Sequence, residues 1–122
     1  MGDVATCAAY FRLRLGNEPR EHFDVAFLDA KFRLLVTERL FSGTIDSAQV
    51  SPRIVLQRAL TVNAAAVILA HNHPSGCLEP SAADVSITAC LKSTLGLVDI
   101  RLLDHFIVSN ADSLSMASRG IL

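Results

Sequence analysis

Apolar residues recur at Ala5, Ala8, Ala9, Phe11 and Leu15, a spacing that predicts a short helix over residues 3–15. Asn17-Glu18-Pro19-Arg20 breaks that pattern. Glu21–Asp29 carries Phe23, Val25, Phe27 and Leu28 and predicts a strand. Ala30-Lys31 reads as a turn and Phe32–Leu40 as the returning strand of a hairpin. Gly43-Thr44 marks another turn, and Ile45–Val50 predicts a short strand. Ser51-Pro52 is a helix start, a capping hydroxyl followed by proline at the first helical position. Val55, Leu56, Ala59 and Leu60 give that helix an apolar face, and Asn63 is its stop. Ala64–Ala70 predicts a strand buried on both faces, ending in the polar loop His71–Gly76. Pro80-Ser81 opens another helix, with Gly96 as its C-terminal signal. Val98–Leu103 and His105–Val108 predict one or two more strands, followed by a turn at Asn110–Ser113. The order hairpin, helix, strand, helix, strand predicts an α/β domain: a mixed β-sheet with helices packed on it.

No low-complexity tract, repeat or Pro/Gly-rich linker divides the 122 residues, so a single domain over 1–122 is expected, with 1–17 as an N-terminal helix and linker. Opening in mid-pattern suits the tail of a longer protein. Apolar residues make up 51% and charged residues 19%, which supplies a core and excludes a disordered chain. The net charge of −1 argues against a domain built to grip phosphate backbones. Arg12, Arg14 and Arg20 form a small basic cluster that reads as a solvated face. No apolar run approaches the ~18–20 residues that span a bilayer, and no basic-then-apolar signal opens the chain. Cys7, Cys77 and Cys90 are an odd count without paired spacing, which rules out a disulfide framework and a Cys-rich zinc knot. A reduced, cytoplasmic protein without a membrane partner is expected.

The chemistry concentrates in His71-Asn72-His73-Pro74 and Ser81-Ala82-Ala83-Asp84. On extended backbone, residues two apart point to one side, so His71 and His73 can converge on one ion. An isolated H-x-H is more often just a polar loop. Asp84 changes that balance. It is the third residue of a helix capped by Ser81, where a carboxylate commonly closes a capping box. It is also in phase with Ile87, Thr88, Leu91 and Leu95, the face turned to the core. A carboxylate on a buried face needs a partner, and a cation held by the two imidazoles serves. Three protein ligands leave a fourth position open, the pattern of a catalytic site. Nitrogen and carboxylate donors suit Zn²⁺, with Fe²⁺, Mn²⁺ and Co²⁺ as competitors. No H-E-x-x-H helix, zinc-deaminase pattern or P-loop is present.

H-x-H-x₇-S-x₂-D, running from His71 through Ser81 to Asp84, resembles the JAMM (MPN+) metalloprotease signature. The context resembles the RadC branch of that family: His71–Gly76 with Glu79-Pro80-Ser81, Phe41-Ser42-Gly43-Thr44, Pro52-Arg53 and Leu103–Val108. The resemblance covers nearly the whole chain, from Arg20 to Val108. It implies a JAMM/MPN-type, cytidine-deaminase-like fold and one Zn²⁺ per chain, held by His71, His73 and Asp84 with a water. It also implies Ser81 as the donor to a tetrahedral oxyanion and a glutamate upstream as general base. The family places that base at the start of the strand over Glu21–Asp29, which selects Glu21 over Glu18, Glu38 and Glu79. The bond cut in such proteins is an amide, often an isopeptide bond, so a protein or peptide-like substrate is expected.

Two other readings stay beside the zinc hydrolase. One is a DNA-associated accessory protein, which the RadC name suggests and the charge does not support. The other is a metal-bound interaction module without turnover. Asp104-His105 can orient a ligand imidazole or be a strand-end acid and a packed ring. Cys77 reads as an ordinary thiol in the loop between ligands.

Overall fold

A computed structural model describes residues 2–43 and 49–122. Helix α1 (Val4–Leu15) is capped by Asp3, whose carboxylate accepts from the Thr6 N–H at 2.8 Å. It buries Cys7, Phe11 and Leu15, one residue every four, while Ala5 and Ala9 of the expected stripe face solvent. Strands β1 (His22–Leu28) and β2 (Leu34–Ser42) form the expected hairpin. Its turn is longer than Ala30-Lys31, because Asp29 Oδ1 accepts from the N–H groups of both Lys31 and Arg33. Phe32 consequently sits in the turn at φ 60°, and β2 starts at Leu34. Of the strand expected over Ile45–Val50, residues 45–48 lie outside the described residues, as does Thr44; Gln49 and Val50 are not in a strand.

Helix α2 (Pro52–Thr61) starts on Ser51 and stops at Asn63, which takes φ 58° as a left-handed terminator. Val55 and Ala59 are buried, but Leu60 is 54% exposed and does not join that face. Strand β3 (Ala66–Asn72) begins two residues later than the apolar run and continues through His71 and Asn72. The expected loop therefore opens only at His73, because its polar neighbours find hydrogen-bond partners inside the fold. Helix α3 (Ala82–Gly96) starts on Ser81 as expected. Gly96 does not terminate it in a left-handed conformation; Leu97 stays helical and Asp99 makes the reversal at φ 61°. Strand β4 (Arg101–Val108) is one strand where two were possible, starting after Val98, and the unexpected β5 (Ser113–Ser115) pairs with its end.

The sheet order is β2-β1-β3-β4-β5, with only β3 and β4 parallel. α3 is the crossover between these two. The result is the mixed α/β sheet the pattern predicts. One face packs Phe23, Val25, Phe27, Val67 and Leu69 against α2 and α3. The other packs Ala26, Leu28, Ala66, Ile68 and Ala70 against α1. Odd-numbered residues of β1 and β3 thus face α3, and even-numbered ones face α1.

Asp24 is an exception on the α1 face, a fully buried carboxylate. It is held by the Nε atoms of Arg14 at 2.9 Å and Arg39 at 3.0 Å, so it ties α1 to both strands of the hairpin. Arg14 therefore belongs to an ion pair rather than to a free basic cluster. Asp24→Ala should cost about 2–3 kcal/mol in urea unfolding, less than a wholly buried pair because both guanidinium groups reach water. A loss under about 0.5 kcal/mol would show that the triad does not hold the helix to the sheet.

Candidate metal centre

β3 and α3 bring the predicted ligands together. His71 is the last odd-numbered residue of β3, so it points to the α3 face; His73 follows two residues on, and Asp84 descends from the first turn of α3. His71 Nε2 lies 3.2 Å from Asp84 Oδ1, His73 Nε2 lies 3.4 Å from Asp84 Oδ2, and the two Nε2 atoms are 2.9 Å apart. His71 and Asp84 are buried and His73 is half-buried. Burial pushes Asp84 up, but the hydrogen bonds with His71 and His73 outweigh it and hold the carboxyl well below the usual carboxylate range. The same contact with Asp84 raises His73, against its partial burial. The capping box is compatible with a ligand role for Asp84: Ser81 N–H donates to Asp84 Oδ2 at 2.8 Å and Asp84 N–H donates to Ser81 Oγ at 3.0 Å. The cap aims the carboxylate rather than competing for it.

The outer nitrogens of the two rings fix their tautomers. His73 Nδ1 is 2.6 Å from the Cys77 carbonyl, which can only accept, so Nδ1 carries the proton and Nε2 the lone pair. His71 Nδ1 is 2.7 Å from His105 Nε2, and His105 Nδ1 is 2.6 Å from Thr88 Oγ1. Thr88 donates its hydroxyl proton to the Asp84 carbonyl at 2.6 Å. Thr88 must then accept from His105 Nδ1–H, leaving His105 Nε2 to accept from His71 Nδ1–H. Burial, followed by the neighbouring His71, pushes His105 well down and keeps it neutral, as this order requires. Both ligand rings therefore turn lone pairs inward to a carboxylate, and something positive must sit among them: a proton or a metal ion.

The residues fit a small cation. All three donor atoms lie within 4.8 Å of one another. In a tetrahedral site with ~2.0–2.1 Å bonds, neighbouring donors stand about 3.3 Å apart. The two nitrogens, 2.9 Å apart and each within 3.4 Å of one or the other Asp84 oxygen, stand close to that spacing. The RadC-like JAB domain model matches residues 1–121. The chain belongs to the RadC-like JAB domain family. Relatives bear this out. A UPF0758 protein of Azotobacter vinelandii is 59% identical over 113 residues, 93% of this chain and 50% of the relative. A UPF0758 protein of Nitrosococcus oceani is 58% identical over 120 residues, 98% of this chain and 54% of the relative. The chain thus spans about half the length of the curated relatives it matches, and their name states no activity.

In this JAB domain the four acidic candidates are in different places. Glu38 is bound by Arg58 at 2.6 and 2.8 Å, and Glu79 by Arg119 at 3.2 and 3.4 Å. Glu18 lies 3.6 Å from both Arg39 and His22. Glu21 is the one whose charge contributes to raising His73. It lines a shallow cleft with Pro19, Arg20, Gly43 and Pro74, beside the second ligand. Ser81 is exposed at the head of α3, and its Oγ accepts from the Asp84 N–H, which leaves its hydroxyl proton available to donate. The Asp104-His105 pair divides its work. His105 touches the ligand ring, while Asp104 accepts from Ser115 Oγ and the Ala117 N–H on the far side. Cys77 meets the site through its carbonyl, and its thiol is exposed.

Thr88 escaped the sequence reading as a site residue; its only signal was its place on the buried face beside Asp84. Thr88→Val keeps the shape but strands the His105 Nδ1–H. It should weaken zinc binding by roughly 10–100-fold in calorimetric titration. Unchanged affinity would show that the proton order along this chain does not govern the ligand ring.

Proposed function

We propose that the domain is a zinc-dependent hydrolase of peptide or isopeptide-like amides. The carrying observation is the convergence of two imidazoles and one carboxylate, three protein donors of the number and kind that catalytic zinc sites use. Zinc held there supplies Lewis acidity, acidifying a water and polarising a carbonyl. His71, His73 and Asp84 would hold it; Cys77 O, His105 and the Ser81 N–H orient these three side chains. Glu21 accepts the proton of the attacking water and delivers it to the departing amine. Support comes from its charge at His73. Ser81 donates its hydroxyl proton to the carbonyl oxygen as negative charge grows there. Cys7, Cys77 and Cys90 are all free, which suits a reducing, cytoplasmic setting. Among the described residues no helix is long and apolar enough to cross a membrane.

Glu21→Gln should keep one zinc per chain by elemental analysis and lose ~10²–10⁴ in amide hydrolysis. Ser81→Ala should keep zinc and lose roughly 10²–10³ in rate. It should also cost about 1 kcal/mol of stability through the lost cap. His73→Ala and Asp84→Ala should each lose the zinc. Full stoichiometry in both ligand variants would reject the site; full turnover in Glu21→Gln would reject the base.

A further inference from the structure

Asn72 stands between the two histidines, and alternation along β3 turns its side chain to the opposite face. That side chain is 1% exposed and makes three hydrogen bonds, all to one short backbone segment. Its Oδ1 accepts from the His22 N–H at 2.7 Å. Its Nδ2 donates to the Arg20 carbonyl at 2.8 Å and the Glu18 carbonyl at 3.3 Å. The Arg20 carbonyl and the His22 N–H belong to the two peptide groups that flank Glu21. The antiparallel ladder between β1 and β3 ends at the pair Phe23 and His71. Asn72 extends it by one more rung, with a side-chain amide standing in for the backbone. Glu21 directly precedes β1, two residues before Phe23 of the α3 face, and its own carbonyl accepts from Gly43 N–H at 2.9 Å.

We infer that Asn72 is a positioning residue: its amide clasps both peptide groups around Glu21 and so places that carboxylate against the metal ligands on the neighbouring residues His71 and His73. A buried amide with both ends used is well suited to this. An aspartate of the same shape keeps the acceptor but turns a second carboxylate oxygen on two carbonyls, so it cannot serve. The inference rests on Glu21 acting as the base, and its test separates the two.

The test uses the whole chain loaded with Co²⁺, whose paramagnetism shifts nearby nuclear resonances according to their position. Asn72→Asp and Asn72→Ala should both keep one Co²⁺ per chain. In both, the shifts of the 17–22 amides should change, while those around Asp84 stay. The His22 amide of Asn72→Ala should exchange roughly five- to tenfold faster with solvent. Should Asn72→Ala fail to fold, the isosteric Asn72→Asp carries the comparison alone. Unaltered 17–22 shifts would overturn the inference, whatever the chemistry of the site. On an amide that the wild type hydrolyses, Asn72→Asp should lose roughly 10²-fold in kcat with KM little changed. In the Glu21→Gln background the same change should cost almost nothing more, because the group it positions is gone. An equal loss in both backgrounds would overturn the positioning role. Full activity of Glu21→Gln alone would instead remove the base assignment, and the cobalt shifts would still decide what Asn72 holds.

Discussion

A neutral imidazole has one proton for two nitrogens, so whatever accepts that proton decides which nitrogen can bind an ion. In this fold the acceptors sit on the outside of both ligand rings. The Cys77 carbonyl takes the proton of His73 Nδ1, and neutral, buried His105 takes that of His71 Nδ1. The inward lone pairs follow from those two contacts. The acceptor for His71 is itself fixed by a chain that ends on the backbone carbonyl of Asp84, through Thr88. One ligand's orientation is thereby tied to the backbone that carries another.

The sheet supplies the positions. β3 lies in the middle, antiparallel to β1 and parallel to β4, so its C-terminal end is flanked by the start of β1 and the end of β4. The β3–β4 register shifts by one residue, Val67 pairing Leu102 and Ile68 pairing Asp104. Leu103 is the extra residue, and it packs on the α1 side. After it the alternation of β4 reverses, which brings His105 to the α3 face beside His71 and Phe23. A bulge thus re-aims one side chain next to a site.

Much of this was legible in the residues. The convergence of the three side chains could be read because period two aligns His71 with His73 and period 3.6 aligns Asp84 with Ile87, Leu91 and Leu95. The two helix starts at Ser51 and Ser81 carry their caps in the local sequence. What local pattern cannot carry is cross-chain satisfaction. His71 and Asn72 look like loop residues because they are polar; they are strand because His105 and the segment at 18–22 meet their hydrogen-bonding groups. The apolar pattern broke at Asp104 and suggested two strands, where the break is the site of the bulge within one. Gly96 looked like a helix stop, but the reversal fell to Asp99, three residues later, where the chain turns into β4.

On this reading the inward lone pairs serve to hold one metal ion. The most direct measurement is a crystal structure of the zinc-loaded chain with data collected on both sides of the zinc absorption edge. A single anomalous peak per chain is expected, about 2.0–2.2 Å from His71 Nε2, His73 Nε2 and an Asp84 oxygen. His71 Nδ1 should remain on His105 and His73 Nδ1 on the Cys77 carbonyl. A peak held by the Cys77 thiolate, or no peak between the two imidazoles at saturating zinc, would contradict it.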